Sequence, residues 1–295
     1  MNFSPPEIKQ GEIPFSDDDF RSLANLAKLQ FGLNLAESKK PLVYSRLSKR
    51  LKARGVFSFP EYISLLVKPG EENEKFELIS ALTTNVTSFF REIHHFKTLE
   101  EEIIPDIIEN AKNGRRVRLW SAGCSAGPEP YSLAMTLLKA FPEAKEYDVR
   151  ILATDIDPKI IERARIGRYT AEEIDGISPD FRSKWINKIA EKNSFEVSSN
   201  LKKLITFNEL NLVSEWPFSG SFDAIFCRNV AIYFDQETQQ KLWQKFCNHL
   251  TSNGVLFIGH SERVTGSATR QLEGIGITSY RKVSNSAEDC KNRRE

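Results

Sequence analysis

Residues 118–131 constrain the fold of this 295-residue chain more than any other segment does. A short apolar run ends there in a loop that contains Gly123 and Gly127, and a helical pattern begins at Tyr131. Strand, glycine loop and helix form the opening unit of a doubly wound α/β sheet, in which a ligand lies across the carboxyl ends of the strands. The loop lacks the Gly-x-Gly-x-x-Gly spacing, and no Lys-Ser or Lys-Thr pair follows it, so the ligand need not carry phosphate.

The bulk composition narrows the choice of partner and compartment. The chain has 41 Lys plus Arg against 40 Asp plus Glu, so its net charge of +1 indicates neither nucleic acid nor a membrane surface. Its 4 cysteines are scattered, which favours reduced thiols in a cytoplasmic protein and predicts no metal site. The first fifteen residues contain no apolar stretch, so we expect neither a signal peptide nor a spanning helix.

The chain is expected to contain two domains between flexible ends at 1–15 and 284–295. Residues 16–83 indicate a small helical domain, whose first helix begins after a Ser16 cap and ends at Gly32. Further helices are expected from about Lys40, from Phe59 and from Glu74. Residues 84–115 form a linker with a connecting helix, in which His94 and His95 lie in the first turn.

From residue 116 to residue 283 the pattern changes to alternating strands and helices. Strands are predicted at 116–120, 149–153, 222–226 and 254–258, and helices at 130–140, 157–165 and 236–250. This alternation predicts a mostly parallel sheet. Residues 170–210 interrupt it as a small β-insertion, with a helix over 180–189 and strands at 195–197 and 204–207. A last apolar run over 275–280 is expected to close the sheet edge.

Polar residues follow two of the predicted strands. Asp155 ends the second strand, where an acid can accept hydrogen bonds from both hydroxyls of a ribose, while Asp157 before Pro158 suits a helix cap. Arg228 and Asn229 follow the strand at 222–226, either at the mouth of a ligand crevice or in a simple polar turn. The polar segment 83–92 is either a capped linker or a lid whose arginine pairs with a carboxylate.

The second helix of the helical domain is strongly basic. Its arginines recur every fourth residue and so share one face, beside an apolar stripe. A solvated helix face and a docking surface for an acidic partner both explain the pattern, whereas RNA is disfavoured because few aromatic residues interleave the basic ones. The basic residues proposed for docking are Arg46, Lys49, Arg50 and Arg54.

Taken together, these segments resemble the chemotaxis receptor methyltransferases of the CheR type over almost the whole chain. The resemblance is carried by Asn85-Val-Thr-Ser-Phe-Phe-Arg91, Trp120-Ser-Ala-Gly-Cys-Ser, Glu129-Pro-Tyr-Ser, Asp155-Ile-Asp157, residues 207–212, Cys227-Arg-Asn-Val with Ile232-Tyr-Phe-Asp235, and Gly259-His-Ser-Glu262. It implies a class I methyltransferase-like sheet preceded by an all-α domain. It also implies methyl transfer, without a metal, from S-adenosylmethionine to receptor glutamates, giving glutamate methyl esters and S-adenosylhomocysteine.

The resemblance further implies roles for individual residues. The methionine end of the cofactor would be held by Asn85, Thr87 and Arg91, and its amino group by Glu129. Asp155 would bind the ribose, Asn211 and Leu212 would border the adenine, and Arg228 and Asn229 would line the pocket floor. Tyr233 would face the transferring methyl together with Arg91. The partner would be the helical cytoplasmic domain of a chemoreceptor, the helical domain would help to cover the site, and the enzyme would be a cytoplasmic monomer.

Two positions depart from the family pattern Ser-Thr-Gly-Glu-Glu-Pro-Tyr. The Thr is replaced by Ala126 and the first Glu by Pro128, while Glu129 is kept. These departures leave open a regulatory scaffold that binds the cofactor or its product without turnover, and a methyltransferase of RNA or a small molecule is a further alternative. A hydrolase built on His260 is disfavoured because no Gly-x-Ser-x-Gly motif occurs. The short connection 189–194 lacks glycine, which favours a chain that uses no receptor pentapeptide tether.

Overall fold

The computed structural model describes residues 13–83, 86–190 and 193–283, and the chain divides into two units, Met1–Thr84 and Asn85–Glu295. Most of the two predicted flexible ends lies outside these described residues, and so does Asn85. So do two residues of the connection on which the tether prediction rests. In the described part of the chain, no helix has the length and apolar character needed to cross a membrane.

The first unit is built from α1 (Asp17–Phe31), α2 (Lys40–Ala53), α3 (Phe59–Leu66) and α4 (Glu72–Leu82). Ser16 caps α1 in a capping box: its hydroxyl accepts the Asp19 N–H at 3.0 Å, and its own N–H donates to the Asp19 carboxylate at 2.8 Å. Gly32 ends the helix in the left-handed region at φ 72°. The predicted start and end of this helix are therefore confirmed. The unit encloses a core that includes Phe20, Leu23, Leu47, Leu51, Phe59, Leu66 and Leu78.

The arginines on the basic face of α2 contact other parts of the first unit. Arg50 makes two hydrogen bonds to the buried Glu74 of α4, at 2.7 and 2.5 Å, and Arg54 pairs with both Glu71 and Glu74. Arg46 donates to two carbonyls at the end of α4. The shared face is as predicted, but these arginines pair within the unit because a buried carboxylate requires nearby cations. Lys49 is exposed, and its proposed docking role remains a prediction.

The second unit contains a seven-stranded sheet among its described residues, in the order β6-β2-β1-β7-β8-β10-β9. Its strands are β1 (Val117–Ala122), β2 (Val149–Asp155), β6 (Ile205–Glu209), β7 (Phe222–Cys227), β8 (Leu250–Ile258), β9 (Leu272–Gly276) and β10 (Ser279–Lys282). The first five strands of that order are parallel, and β10 is antiparallel to β8 and β9. The predicted doubly wound, mostly parallel sheet is confirmed.

Helices connect these strands and cover the sheet. They are α5 (Ile93–Thr98), which continues through a π-helical turn (Leu99–Ile103) into α6 (Ile104–Lys112), and α7 (Pro128–Ala140), α8 (Pro158–Ile166) and α11 (Gln236–His249). Strands β1 and β7 are buried along almost their whole length, which explains their continuous apolar runs. Trp120, Tyr131, Phe226 and Phe257 are among the large side chains buried in this unit.

The insertion differs from the prediction. A three-stranded antiparallel sheet is formed by β3 (Arg168–Thr170), β5 (Ser194–Val197) and β4 (Ile186–Lys188), with α9 (Pro179–Trp185) between β3 and β4 and α10 (Ser199–Lys202) after β5. The predicted helix over 180–189 is therefore wrong in its second half, because pairing with β5 draws residues 186–188 into a strand. The predicted strand at 204–207 is β6, which pairs with β2 at the edge of the main sheet instead.

The apolar run at 275–280 is also not one strand. It spans the turn between β9 and β10, where Thr278 adopts φ 49°. The two strands form an antiparallel hairpin, and its second strand pairs with β8. The run closes the sheet edge as a hairpin because the chain reverses at its middle.

Candidate functional site

The loop between β1 and α7 is shaped by two glycines with left-handed backbone. Gly123 has φ 83° and Gly127 has φ 99°. A Cβ on Gly123 would lie 2.3 Å from a methyl carbon of Val230, and one on Gly127 would lie 2.8 Å from the Tyr169 hydroxyl. The Gly123 N–H donates to the Thr154 carbonyl at 2.8 Å. These contacts hold the start of α7 at the carboxyl edge of the sheet, where doubly wound folds bind ligands.

The two residues that differ from the family pattern, Ala126 and Pro128, fit into this loop without disturbing it. Ala126 is buried, and its carbonyl accepts the Tyr169 hydroxyl at 2.7 Å. Pro128 is the first residue of α7, a position where a missing N–H costs little, and its carbonyl accepts the Ser132 hydroxyl at 2.7 Å. Neither residue displaces Glu129 from the first turn of the helix.

Asp155 lies at the carboxyl end of β2, as the sequence predicts. Its two carboxylate oxygens accept the backbone N–H of Ser125 at 2.9 Å and of Asp157 at 3.2 Å. Burial raises the pKa of Asp155, although these backbone donors oppose the shift. The backbone N–H of Ile156 also donates to this carboxylate, whose two oxygens offer about four acceptor sites, so the group can still accept a further donor. Asp157 caps α8 through the N–H groups of Lys159 and Ile160, which confirms its predicted role.

Glu129 is held between a hydroxyl and a guanidinium. The Ser121 hydroxyl at the end of β1 donates to one carboxylate oxygen at 2.7 Å, and the Arg228 guanidinium donates to the other at 3.2 Å. Burial raises the pKa of Glu129 in spite of both partners. A carboxylate in this state favours one more cationic donor, such as a ligand ammonium.

A second acid, Glu92, shares the same arginine. Arg228 Nη2 lies 3.2 Å from a Glu92 oxygen and also donates to the Arg91 carbonyl. The other Glu92 oxygen contacts Nδ1 of His260 at 2.9 Å. Although burial raises it, the hydrogen bond from His260 and the charge of Arg228 lower the pKa of Glu92 to about 2. The site therefore contains a buried arginine between two carboxylates.

Glu92 also lies near two histidines in α5. The possible ligand atoms of Glu92, His94 and His95 lie within 4.8 Å of one another, a grouping that can hold a metal ion. The guanidinium of Arg228 already pairs with this carboxylate, and its positive charge disfavours a second cation beside it. This grouping is therefore better explained as an ion-pair network than as a metal site.

The segment after β7 is anchored by Glu262. Its carboxylate accepts the backbone N–H groups of Asn229 at 3.0 Å, of Ile232 at 3.2 Å and of Gly259 at 2.6 Å. Asn229 itself has left-handed backbone, with φ 61°. Glu262 thus orients the loop through these backbone N–H groups rather than pairing with His260. A hydrolase triad built on His260, which the sequence already disfavours, gains no support from this arrangement.

Asn211 and Leu212 follow β6 beside Asp155. The side-chain carbonyl of Asn211 accepts the Val213 N–H at 3.1 Å in a local turn. Leu212 is buried, and its carbonyl accepts the Trp216 indole N–H at 3.2 Å. The backbone N–H of Leu210 donates to the Asp155 carbonyl at 2.8 Å. The structure therefore brings the predicted adenine-bordering segment to the predicted ribose acid.

The remaining predicted residues lie on the two flanking segments. The Arg91 guanidinium donates to the Val86 carbonyl at 3.2 Å, and Thr87 between them is half-buried. Tyr233 is half-buried in a 3-10 turn, Ala231–Tyr233, that follows Asn229. Glu92, Ser121 and His260 were not predicted to act in the site. Their motifs are visible in the sequence, but no local rule shows that they meet.

Two family models match this chain, and known relatives cover most of its length. The family model "CheR methyltransferase, SAM binding domain" matches residues 85–281, and "CheR methyltransferase, all-alpha domain" matches residues 18–83. A probable chemotaxis protein methyltransferase of Rhizobium etli is 49% identical over 85% of this chain and 94% of its own length. Chemotaxis protein methyltransferases of Borreliella burgdorferi and Escherichia coli are 41% and 38% identical, over 92% and 85% of this chain and 96% and 86% of their own lengths.

Proposed function

The chain belongs to the CheR methyltransferase family, and from this premise we propose that it methylates glutamate side chains of chemoreceptors, using S-adenosylmethionine as the methyl donor. The products are glutamate methyl esters and S-adenosylhomocysteine. The observation that carries the proposal is the placement of Glu129, Asp155 and Arg228 at one edge of the parallel sheet. This is the position in which doubly wound sheets bind nucleoside ligands.

The residues at this edge fit the chemical groups of the cofactor. The buried carboxylate of Glu129 suits its ammonium group, and the carboxylate of Asp155 at the end of β2 suits its ribose hydroxyls. The methionine end would be held by Asn85, Thr87 and Arg91, and Asn229 would help Arg228 to line the pocket floor. The adenine would lie against Asn211 and Leu212.

The reaction places modest demands on proton transfer. When bound, S-adenosylmethionine supplies a methyl group on a sulfonium; a carboxylate oxygen bonds to the methyl carbon while the carbon–sulfur electron pair goes to sulfur. A glutamate has an ordinary pKa of about 4.3, so its carboxylate is already ionised at pH 7 and no general base is needed. Arg91 and Tyr233 would therefore act by orienting the reactants and excluding water.

The decisive experiment is methylation of a purified chemoreceptor cytoplasmic domain with S-adenosylmethionine carrying a labelled methyl group. We expect label in the receptor that alkali releases, because carboxyl methyl esters hydrolyse readily in base. Asp155→Ala should lose both the label and calorimetric binding of S-adenosylhomocysteine. Asp148→Ala, which changes an exposed acid paired with Arg118 at the amino end of β2, should keep both.

The other outcomes identify the alternatives. Normal cofactor binding with no label in any receptor would indicate a regulatory scaffold. Ala126 and Pro128 would then be the first residues to change back to the Thr and Glu of the family pattern. Alkali-stable label in RNA or in a small molecule would indicate a different methyltransferase. Wild-type protein that binds neither cofactor nor product would contradict the proposal altogether.

A further inference from the structure

We propose that Glu92 is a positioning residue for methyl transfer, which holds Arg228 away from full engagement with Glu129 and so leaves Glu129 available to the cofactor. This inference deepens the proposed function and rests on it. Glu92 lies outside the set of residues that sequence analysis assigned to the cofactor.

The backbone of Glu92 is held in a conformation that side chains rarely adopt. Phe90 and Glu92 have φ values of 53° and 54°, both in the left-handed region. Such strain persists where surrounding contacts determine the geometry. Here the Phe90 N–H donates to the Ser132 hydroxyl at 3.0 Å, and Arg228 donates to the carbonyl of Arg91 between the two residues. The fold thus directs the Glu92 side chain towards Arg228.

The Glu92 side chain is 11% exposed, and its carboxylate engages several groups. One oxygen accepts from the backbone N–H of His260 at 3.3 Å and contacts its Nδ1 at 2.9 Å. The other oxygen lies 3.2 Å from Arg228 Nη2 and 3.5 Å from His95 Nδ1. The imidazole of His94 packs at a tilt on that of His95, and Glu129 pairs with the other terminal nitrogen of the guanidinium, Nη1. Among the described residues, these are the charged and titratable groups that contact Glu92 or its immediate partners.

Arg228 is the partner that Glu92 and Glu129 share. Its side chain is only 2% exposed, and it lies 3.2 Å from each of two carboxylates. A buried guanidinium requires compensating charge, and here that charge is divided between Glu92 and Glu129. If Glu92 lost its charge, Arg228 would be compensated by Glu129 alone. Glu129 would then bind an incoming ammonium less well, because one guanidinium would already neutralise it.

The test compares Glu92→Gln with Asp148→Asn, an isosteric loss of charge from an arginine pair at the amino end of β2. We expect Glu92→Gln to weaken binding of S-adenosylhomocysteine about tenfold, as for loss of one charge-assisted interaction, and to raise the KM for S-adenosylmethionine similarly. The Tm should change by only a few degrees. Asp148→Asn should retain wild-type Kd and KM.

Two further variants separate positioning from simple stabilisation. Glu92→Asp retains the charge but is one methylene shorter, so its Kd should fall between those of wild type and Glu92→Gln. His260→Gln removes an exposed partner and should change the Kd less than about threefold. If Glu92→Gln does not fold, a wild-type Kd and KM in Glu92→Asp contradict the proposal.

The proposal is also wrong if folded Glu92→Gln retains the wild-type Kd and KM and differs only in Tm, because Glu92 would then be purely structural. Wild-type protein that itself fails to bind S-adenosylhomocysteine would instead contradict the proposed function. The two failures are therefore distinguishable in the same titration.

Discussion

At the residue scale, Glu129 combines ligand chemistry with an unfavourable environment. Burial raises its pKa despite Arg228 and Ser121, so the ionised carboxylate is less favoured in the fold than in water. For such a group, folding stability falls as the pH rises through the folded pKa, because the folded state binds the proton more tightly than the unfolded state does. Functional sites often carry this kind of cost.

Glu129→Gln should therefore separate stability from binding. We expect the Kd of S-adenosylhomocysteine to rise roughly 10- to 100-fold, from loss of a charge-assisted hydrogen bond to the ammonium. The Tm without ligand should hold or increase at pH 7, because the buried charge is gone. Calorimetry and thermal melts check this, with the half-exposed Glu143→Gln as the control. A large fall in Tm with an unchanged Kd would show that Glu129 serves the fold instead.

Affinity should also depend on pH in a direction set by Glu129. Only the ionised carboxylate pairs with an ammonium, so binding should weaken as the pH is lowered through the raised pKa of Glu129. In Glu129→Gln this loss on acidification should be smaller. Titrations with S-adenosylhomocysteine over a series of pH values measure it. Identical pH profiles in the two proteins would show that Glu129 does not bind the ammonium group.

At the element scale, α2 and α4 are joined through one buried carboxylate. Glu74 is 2% exposed and accepts from Arg50 and from the Tyr62 hydroxyl, which lies 2.8 Å away. Burial raises the pKa of Glu74, but the hydrogen bonds from Arg50 and Tyr62 outweigh burial and lower it below the usual range. The apolar stripe of α2 could be predicted from its helical period. The contacts of its arginines could not, because their partners lie 17 or more residues away in sequence.

Glu74→Ala should destabilise the helical unit by about 2–4 kcal/mol, because Arg50 and Arg54 each lose one carboxylate partner and the buried Tyr62 hydroxyl loses its acceptor. Hydrogen exchange of the α2 and α4 amides measures this directly. All four tryptophans lie in the other unit, so their fluorescence should report an unchanged transition. The exposed Glu72→Ala is the matched control. Equal exchange in the two variants would contradict the role of Glu74.

Among the four residues proposed for docking, Lys49 offers the clearest test, because it is exposed and the three arginines make contacts within the unit. Lys49→Glu should slow receptor methylation several-fold at low salt and less at high salt, because screening weakens exposed charges. The Kd of S-adenosylhomocysteine should not change. Lys145→Glu makes the same charge change on an exposed turn of the other unit. If both variants are slowed equally, net charge rather than a docking surface is responsible.

At the scale of the whole molecule, acid sensitivity follows from two buried groups in the second unit. Burial, and the charge of Arg228, lower the pKa of His95 from 6.5 to about 3, and the pKa of Glu92 is about 2 against its usual 4.5. In both cases the unfolded chain binds the proton more tightly. The free energy that these two groups contribute to folding is therefore fully present above about pH 6.5, and it is lost as the pH falls towards their pKa values in the folded state.

In His95→Gln, the free energy of unfolding should therefore decrease less between pH 6.5 and 4.5 than it does in the wild type. Glutamine can still donate to the Ile277 carbonyl, which lies 3.1 Å from His95 Nε2, but it does not titrate. Denaturant unfolding followed by tryptophan fluorescence gives the free energy at each pH. His249→Gln, at the end of α11, is the control. A wild-type slope in His95→Gln would show that other groups set the acid limit.

The sequence by itself determined the features that depend on neighbouring residues. The Ser16 cap, the Gly32 stop, the Asp157 cap and the alternation of strands and helices were all predictable, because capping and hydrophobic period act within a few residues. The carboxyl ends of parallel strands meet at one edge, so Asp155 and Arg228 could be assigned to a common crevice.

Only the tertiary structure decided which distant groups share a partner. Residues 186–188 form a strand because β5 pairs with them, and β6 joins the main sheet because its partner is β2. The pairing of Arg228 with both Glu92 and Glu129 spans three separate segments. Pairing at such separations depends on the register of whole elements and on burial of charge, and neither property is encoded in a local pattern.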